Sequence, residues 1–355
     1  MSDTQVQNAW RAVAAARGPD RPGAAARSRD CAERGLDLLL RGRRQEARRC
    51  FQEAIELNAR NAGALTHLGS ILTELGELEA ARELLERAVA LDTASSEPEN
   101  ALANVLLHQG RLHEAVDHYR NALERDPDDG LVRFNLAAAL HEAGRLGEAL
   151  EAYRAYLATA PVDAVAHRQL GLAHERLGQL ADAERAFRAA AAIDPEYAEA
   201  LADLGRTLLR RGRPGDAARF LEAAAGADAG QWEASYHLAL ALMQEGKTVR
   251  AACELERLRA SHPELPAAAD ALAEAYLAIG LFGHAVTVLE ERLLEAPANA
   301  ELHYRLGVAH QGLGATGRAA TAFRRVLELE PPDSERARRA RRRIEVLERH
   351  GARAG

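Results

Sequence analysis

The sequence predicts an all-α fold built from repeated antiparallel helix pairs, on three observations. Alanine, leucine, glutamate and arginine dominate and proline is sparse, at 12 of 355 residues; intrinsic propensity therefore favours helix almost throughout. One phrase recurs: "GRLHEAVDHYRNALERDPDD" at 110 returns as "GRLGEALEAYRAYLATAPVD" at 144 and "GQLADAERAFRAAAAIDPEY" at 178, a step of 34 residues. The same register places Gly at 42, 76, 110, 144, 178, 212, 246, 280 and 314, with Ala five residues after each. A fixed period of this length is the signature of a helical repeat array.

The elements follow in chain order. Residues 1–27 read as a short amphipathic helix around Trp10 ("VQNAWRAVAAAR") and a flexible Pro/Gly/Arg-rich linker ("GPDRPGAAARS"). Nine uninterrupted repeats then occupy 28–61, 62–95, 96–129, 130–163, 164–197, 198–231, 232–265, 266–299 and 300–333. In each, the recurrent Gly ends the first helix by taking the left-handed conformation that other residues resist. The recurrent Ala lies on the second helix, where a larger side chain would push the pair apart. One pair buries little alone, so neighbours stack and one solenoid with a continuous core is expected. The last repeat needs a cover. Ala337, Ala340, Ile344 and Leu347 recur at helical spacing within the Arg-rich segment 334–355, which predicts a capping helix.

These positions carry a resemblance to the tetratricopeptide repeat (TPR) family, whose pattern is W-x2-L-G-x2-Y, then A-x3-F, then P. The pattern's Leu is met by Leu68, Leu102, Leu136, Leu170, Leu204, Leu238, Leu272 and Leu306, with Arg34 the only departure; the next residue is always Gly or Ala. The aromatic survives as Phe51, Tyr119, Tyr153, Phe187 and Phe323, with Leu elsewhere, and Pro127, Pro161, Pro195, Pro263, Pro297 and Pro331 close six repeats. The resemblance implies a right-handed superhelical solenoid whose first helices line a concave groove, the second helices lying outside.

Catalytic and metal chemistry finds little support. His113, Glu114 and His118 come near the zincin H-E-x-x-H motif, but their histidines are five apart, which aims them about 140° away from one another around a helix. Both fall where the family's second helices face outward, so solvated side chains are expected. His167 and His174, like His303 and His310, take the family's Trp and Tyr positions and read as packing residues. "ALMQEGKT" (241–248) imitates a phosphate loop without the strand or the Gly-rich turn that such a loop requires. The three cysteines, Cys31, Cys50 and Cys253, form neither a disulfide framework nor a C-x-x-C site. No cofactor or metal is expected, and no enzyme activity: the chain closes soon after its repeats, with no room for an appended catalytic domain.

Function in a solenoid means recognition, and the resemblance assigns the groove to specific first-helix positions. Asn100, Asn104, His108, Asn135, His141, Arg168, Gln169, Arg176, Arg206 and Arg210 occupy them through the middle repeats, followed by Tyr236, His237, Met243, Tyr304 and Arg305. Asn and Gln both donate and accept, so a ladder of them can hold a peptide backbone. Arg points to acidic side chains or a C-terminal carboxylate. Asn104 and Asn135 match the two asparagines of the family's carboxylate clamp, whereas Asn100, Val165 and Gln169 replace its three basic residues. The expectation is a non-catalytic scaffold or adaptor for a protein or peptide partner, with a regulatory or sensor subunit of a separately encoded enzyme as the alternative.

Charge and hydropathy bound the rest. The net charge is −7; residues 334–355 carry eight Arg against three Glu, or +5, leaving −12 for the body. A nucleic-acid partner is disfavoured, RNA included. Nothing reads as a secretory signal or a membrane span, so a cytoplasmic location is expected. Lys247 is the only lysine among 46 basic residues, a bias from which a GC-rich coding sequence and a bacterial source are expected.

Overall fold

The structure, a computed structural model, describes residues 23–354 apart from 229. The expected Trp10 helix lies outside the described residues. Nineteen helices and no strand are found among them. They form two compact units, divided between Gly178 and Gln179.

The first unit holds α1 (Ala24–Leu40), α2 (Arg44–Leu57), α3 (Ala62–Glu74), α4 (Leu78–Leu91), α5 (Glu97–His108), α6 (Leu112–Arg125), α7 (Gly130–Glu142), α8 (Leu146–Thr159) and α9 (Ala164–Arg176). The second holds α10 (Leu180–Ile193), α11 (Ala198–Arg210), α12 (Pro214–Ala227), α13 (Trp232–Gln244), α14 (Thr248–Ser261), α15 (Pro266–Ile279), α16 (Phe282–Glu295), α17 (Ala300–Gly312), α18 (Thr316–Leu329) and α19 (Glu335–Ala354). Within each unit every helix packs on the next in sequence. Odd-numbered helices are the first helices of their repeats.

The helix starts and stops have local causes. Asn61, Asp129 and Asp163 accept from the backbone N–H three residues on, capping α3, α7 and α9. The nine recurrent glycines, Gly42 to Gly314, all have φ between +71° and +81°. After α7, the Arg145 N–H reaches the Leu140 carbonyl at 2.9 Å across Gly144, a 6→1 closure that only a left-handed residue permits. One boundary differs from the sequence reading. Residues 24–27, read as linker, belong to α1: Gly23 is left-handed (φ 82°), its carbonyl accepts from Arg27, and Ala24 is buried. The run of three alanines favours helix more strongly than its Gly/Pro/Arg neighbours favour coil.

The core uses the repeat positions. All nine recurrent alanines, Ala47 to Ala319, are fully buried. The five recurring aromatics, Phe51, Tyr119, Tyr153, Phe187 and Phe323, are among the largest fully buried side chains. In four repeats the aromatic or leucine four residues after the Ala presses on the glycine of the first helix. A Cβ on Gly69 would sit 2.5 Å from Leu85, and one on Gly205 would sit 2.4 Å from Leu221. At the C-terminus Ala337, Ala340, Ile344 and Leu347 are buried, and the last three join Ala319, Phe323 and Val326 in one cluster. The stripe on α19 covers the ninth repeat.

Candidate functional site

The odd-numbered helices touch one another as well as their even partners: α3 with α5 and α7 with α9 in the first unit, and α11, α13, α15, α17 and α19 successively in the second. These contacts, with a hydrogen bond between α5 and α7, set first helices side by side as a layer within each unit, and the predicted site residues lie on first helices.

In the first unit the layer carries amides. Asn104, half-buried on α5, accepts at 2.5 Å from the buried Tyr119 hydroxyl of α6. This bond fixes the amide, leaving its NH2 as the free donor. Asn135 on α7 donates to Asn100 Oδ1 on α5 at 3.4 Å, linking neighbouring repeats. One turn further, Arg176 at the end of α9 donates to the His141 carbonyl at 2.7 Å. Burial holds the His141 imidazole below its usual pKa, and the Arg176 cation adds to the effect. Arg168 and Gln169 are half-buried on α9, while His108 at the end of α5 is exposed.

In the second unit the layer is charged. Arg206 on α11 donates to Asp203 at 2.9 Å, and Arg210 is exposed one turn beyond. His237 on α13 stacks edge-on against Tyr236, with centroids 5.5 Å apart. Burial lowers the His237 pKa, Arg206 lowers it further and Glu233 opposes them. Met243, also on α13, is half-buried. Burial raises the Tyr236 pKa, helped by Asp270 and Glu274 of α15. Tyr304 on α17 is half-buried against Phe323 and the capping-helix cluster. Arg305 is fully engaged: it pairs with Glu301 at 2.7 Å and Glu274 at 3.2 Å and donates to the Asp270 carbonyl at 3.0 Å. The carboxylates that occupy it, with the Arg336 that pairs with Glu301 at 2.7 Å, went unnoticed in sequence. Their signal was available, since Asp270, Glu274 and Glu301 fall on the same first-helix register positions as the candidate residues.

One sequence expectation is corrected. His118 is not solvated: its Nδ1 lies 2.5 Å from Glu99 Oε2, and Arg125 holds the other carboxylate oxygen at 2.6 Å. Glu99 sits at the family's Trp position, buried, so a buried carboxylate there draws two cations off the second helix. Three other polar residues at that position act as donors. His167 lies 3.1 Å from the Pro161 carbonyl, His303 lies 2.9 Å from the Pro297 carbonyl, and Arg133 bonds the Pro127 carbonyl. They fasten the preceding loop where an indole would only fill space. His113 is exposed. Among the described residues no three His, Cys, Asp or Glu side chains are grouped to hold a metal ion, and no helix is long and apolar enough to cross a membrane.

Stacked helix pairs with a left-handed glycine and a buried alanine at fixed register define a helical-repeat protein. Tetratricopeptide repeat models match residues 33–96, 100–164 and 271–334, and a second such model matches 176–241 and 208–275. The chain belongs to the tetratricopeptide repeat family. Among solved structures it is similar to the C-terminal part of a TPR repeat-containing protein from Cytophaga hutchinsonii, with 16% identity, 68% of this chain and 98% of that chain covered, and a TM-score of 0.57. A tetratricopeptide repeat protein from Parabacteroides merdae shares 17% identity over 71% of this chain and 98% of its own, with a TM-score of 0.50. YrrB, described as a TPR protein with an unusual peptide-binding site, shares 24% identity over 52% of this chain and 95% of its own, with a TM-score of 0.46. At these identities the likeness speaks to the fold. No curated protein matches the chain. The repeats support a protein-interaction scaffold.

Proposed function

We propose that this chain is a non-catalytic scaffold or adaptor that holds a peptide or an extended partner segment against the odd-helix layer of its first unit. The observation that carries the reading is the amide array Asn100, Asn104 and Asn135, on two successive first helices. Tyr119 orients one member, and the other two bond to each other. Such amides meet the N–H and C=O groups of a peptide backbone with little regard for its side chains. Arg176, whose hydrogen-bond partner is a neutral carbonyl, supplies a cation for an acidic side chain or a C-terminal carboxylate. Arg206 and Arg305 serve this role less well because Asp203, Glu274 and Glu301 already engage them. The three free thiols suit a reducing, cytoplasmic setting.

The test is capture of partners from a lysate by wild type and by the double variant Asn100→Ala, Asn135→Ala, with Arg176→Glu as a third bait. The reading expects a partner retained by wild type and lost by the folded double variant, with Arg176→Glu weakening any partner that ends in an acidic segment. Equal retention by all three baits contradicts it.

A further inference from the structure

A second site lies in the ninth repeat, on the side of α17 about half a turn away from the Tyr304 and Arg305 stripe. It is an open, mostly apolar cleft of about 640 Å³ between α17 and α18, lined by His303, Leu306 and His310 on one side and Arg318, Thr321 and Arg325 on the other. The repeat supplies an internal comparison. A cleft that shares this place in the third repeat is about 160 Å³ and is lined by Leu102, Leu106, Arg111, Glu114 and His118, with Glu86 and Val89 of the preceding repeat. In register, Leu306 corresponds to Leu102, His310 to Leu106, Arg318 to Glu114 and Ala322 to His118. The ninth repeat thus has alanine where the third lines its cleft with an imidazole, an arginine where the third has a glutamate paired with Arg111 at 2.6 Å, and a histidine in place of a leucine.

That histidine makes the cleft more than a packing defect. His310 is 5% exposed, and its Nδ1 is buried with no hydrogen-bond partner among the described residues. A buried polar atom left unpaired is costly, and leucine at this position avoids the cost in the third repeat. Burial holds the imidazole below its usual pKa against the pull of Glu290, with Arg318 adding to the lowering. Arg318 is exposed and has neither a hydrogen bond nor an ion pair with a described residue. Arg325 at the same rim is paired with Glu328 at 2.6 Å. One uncompensated cation and one buried, unsatisfied imidazole therefore border the same apolar space, whose volume is in the range of small-molecule sites.

We propose that this cleft binds a small apolar molecule bearing a carboxylate, the carboxylate meeting Arg318 and His310 and the apolar body lying along Leu306, Thr321 and Ala322. The site is independent of the amide array in the first unit and takes a different class of ligand. Decanoate is the probe, titrated calorimetrically into the full chain, with decanol as the uncharged control. Saturable one-to-one binding of decanoate is expected, weakened at least about tenfold by Arg318→Glu and abolished by Thr321→Trp, an exposed position where the indole occupies the cleft. His310→Leu, which installs the residue of the third repeat, is expected to raise the Tm of the free protein while weakening decanoate by a similar factor. The proposal is overturned if wild type does not bind decanoate, if decanol binds as well as decanoate, or if the folded Thr321→Trp variant binds decanoate unchanged.

Discussion

At the residue scale, the most informative contact is Asn104 with Tyr119. The Tyr119 ring is core and its hydroxyl is buried, so the amide oxygen is that hydroxyl's hydrogen-bond partner. Asn104→Ala is expected to cost about 1–3 kcal/mol of stability by orphaning the hydroxyl. In a Tyr119→Phe background the same substitution is expected to cost much less, and a double-mutant cycle from urea denaturation measures the difference. Asn104 is thus a poor choice for testing binding alone. Its place on a first helix was legible in the sequence because the repeat register fixes where each residue falls on its helix. Its bond to Tyr119 was not, because the register gives direction and not reach. The same gap misplaced His118: an outward position on a bare helix becomes a half-buried one when the facing residue is Glu99 in place of tryptophan.

At the element scale, the helix pairs depend on the left-handed glycines and on buried charge. A Cβ on Gly144 would meet no neighbour, so Gly144→Ala isolates the backbone cost. It is expected to lower stability by about 1–2 kcal/mol, read from the denaturation midpoint. The Glu99, His118 and Arg125 cluster makes a different prediction. Arg125→Ala strands part of a buried carboxylate and is expected to cost about 3 kcal/mol, whereas replacing all three residues with leucine costs less than that single change. Equal or larger loss in the triple variant contradicts the assignment of Glu99 as a buried charge held by its partners. Helix positions and the cap were readable almost residue by residue, because glycine, alanine and the Ala337 to Leu347 stripe are steric requirements. The start of α1 was missed by four residues, since composition averages over a boundary that one left-handed glycine sets.

At the scale of the whole molecule, histidine burial contributes to the acid response. His67, His141, His237 and His310 are all held below the usual imidazole value of 6.5, chiefly by burial. The unfolded chain therefore binds protons at these histidines that the folded chain resists, and their contribution to stability is full above pH 6.5 and lost as the pH falls below it. The Tm is expected to drop between pH 6.5 and 5, and His67→Phe, which keeps the ring stacked on Phe51 (5.3 Å in the native pair), is expected to flatten the slope. The charged layer of the second unit shows where sequence reasoning stopped. Arginines counted singly suggested an acidic ligand, while the structure gives Arg206 and Arg305 carboxylates of their own. The proposed scaffold stands on contact between the α5 and α7 amides and the partner. Hydrogen exchange measured by mass spectrometry, on the full chain with and without its captured partner, tests it most directly. Slowed exchange in the first unit is expected to be concentrated in peptides from α5 and α7. Slowed exchange confined to α4, α6 and α8, with α5 and α7 unchanged, would contradict it.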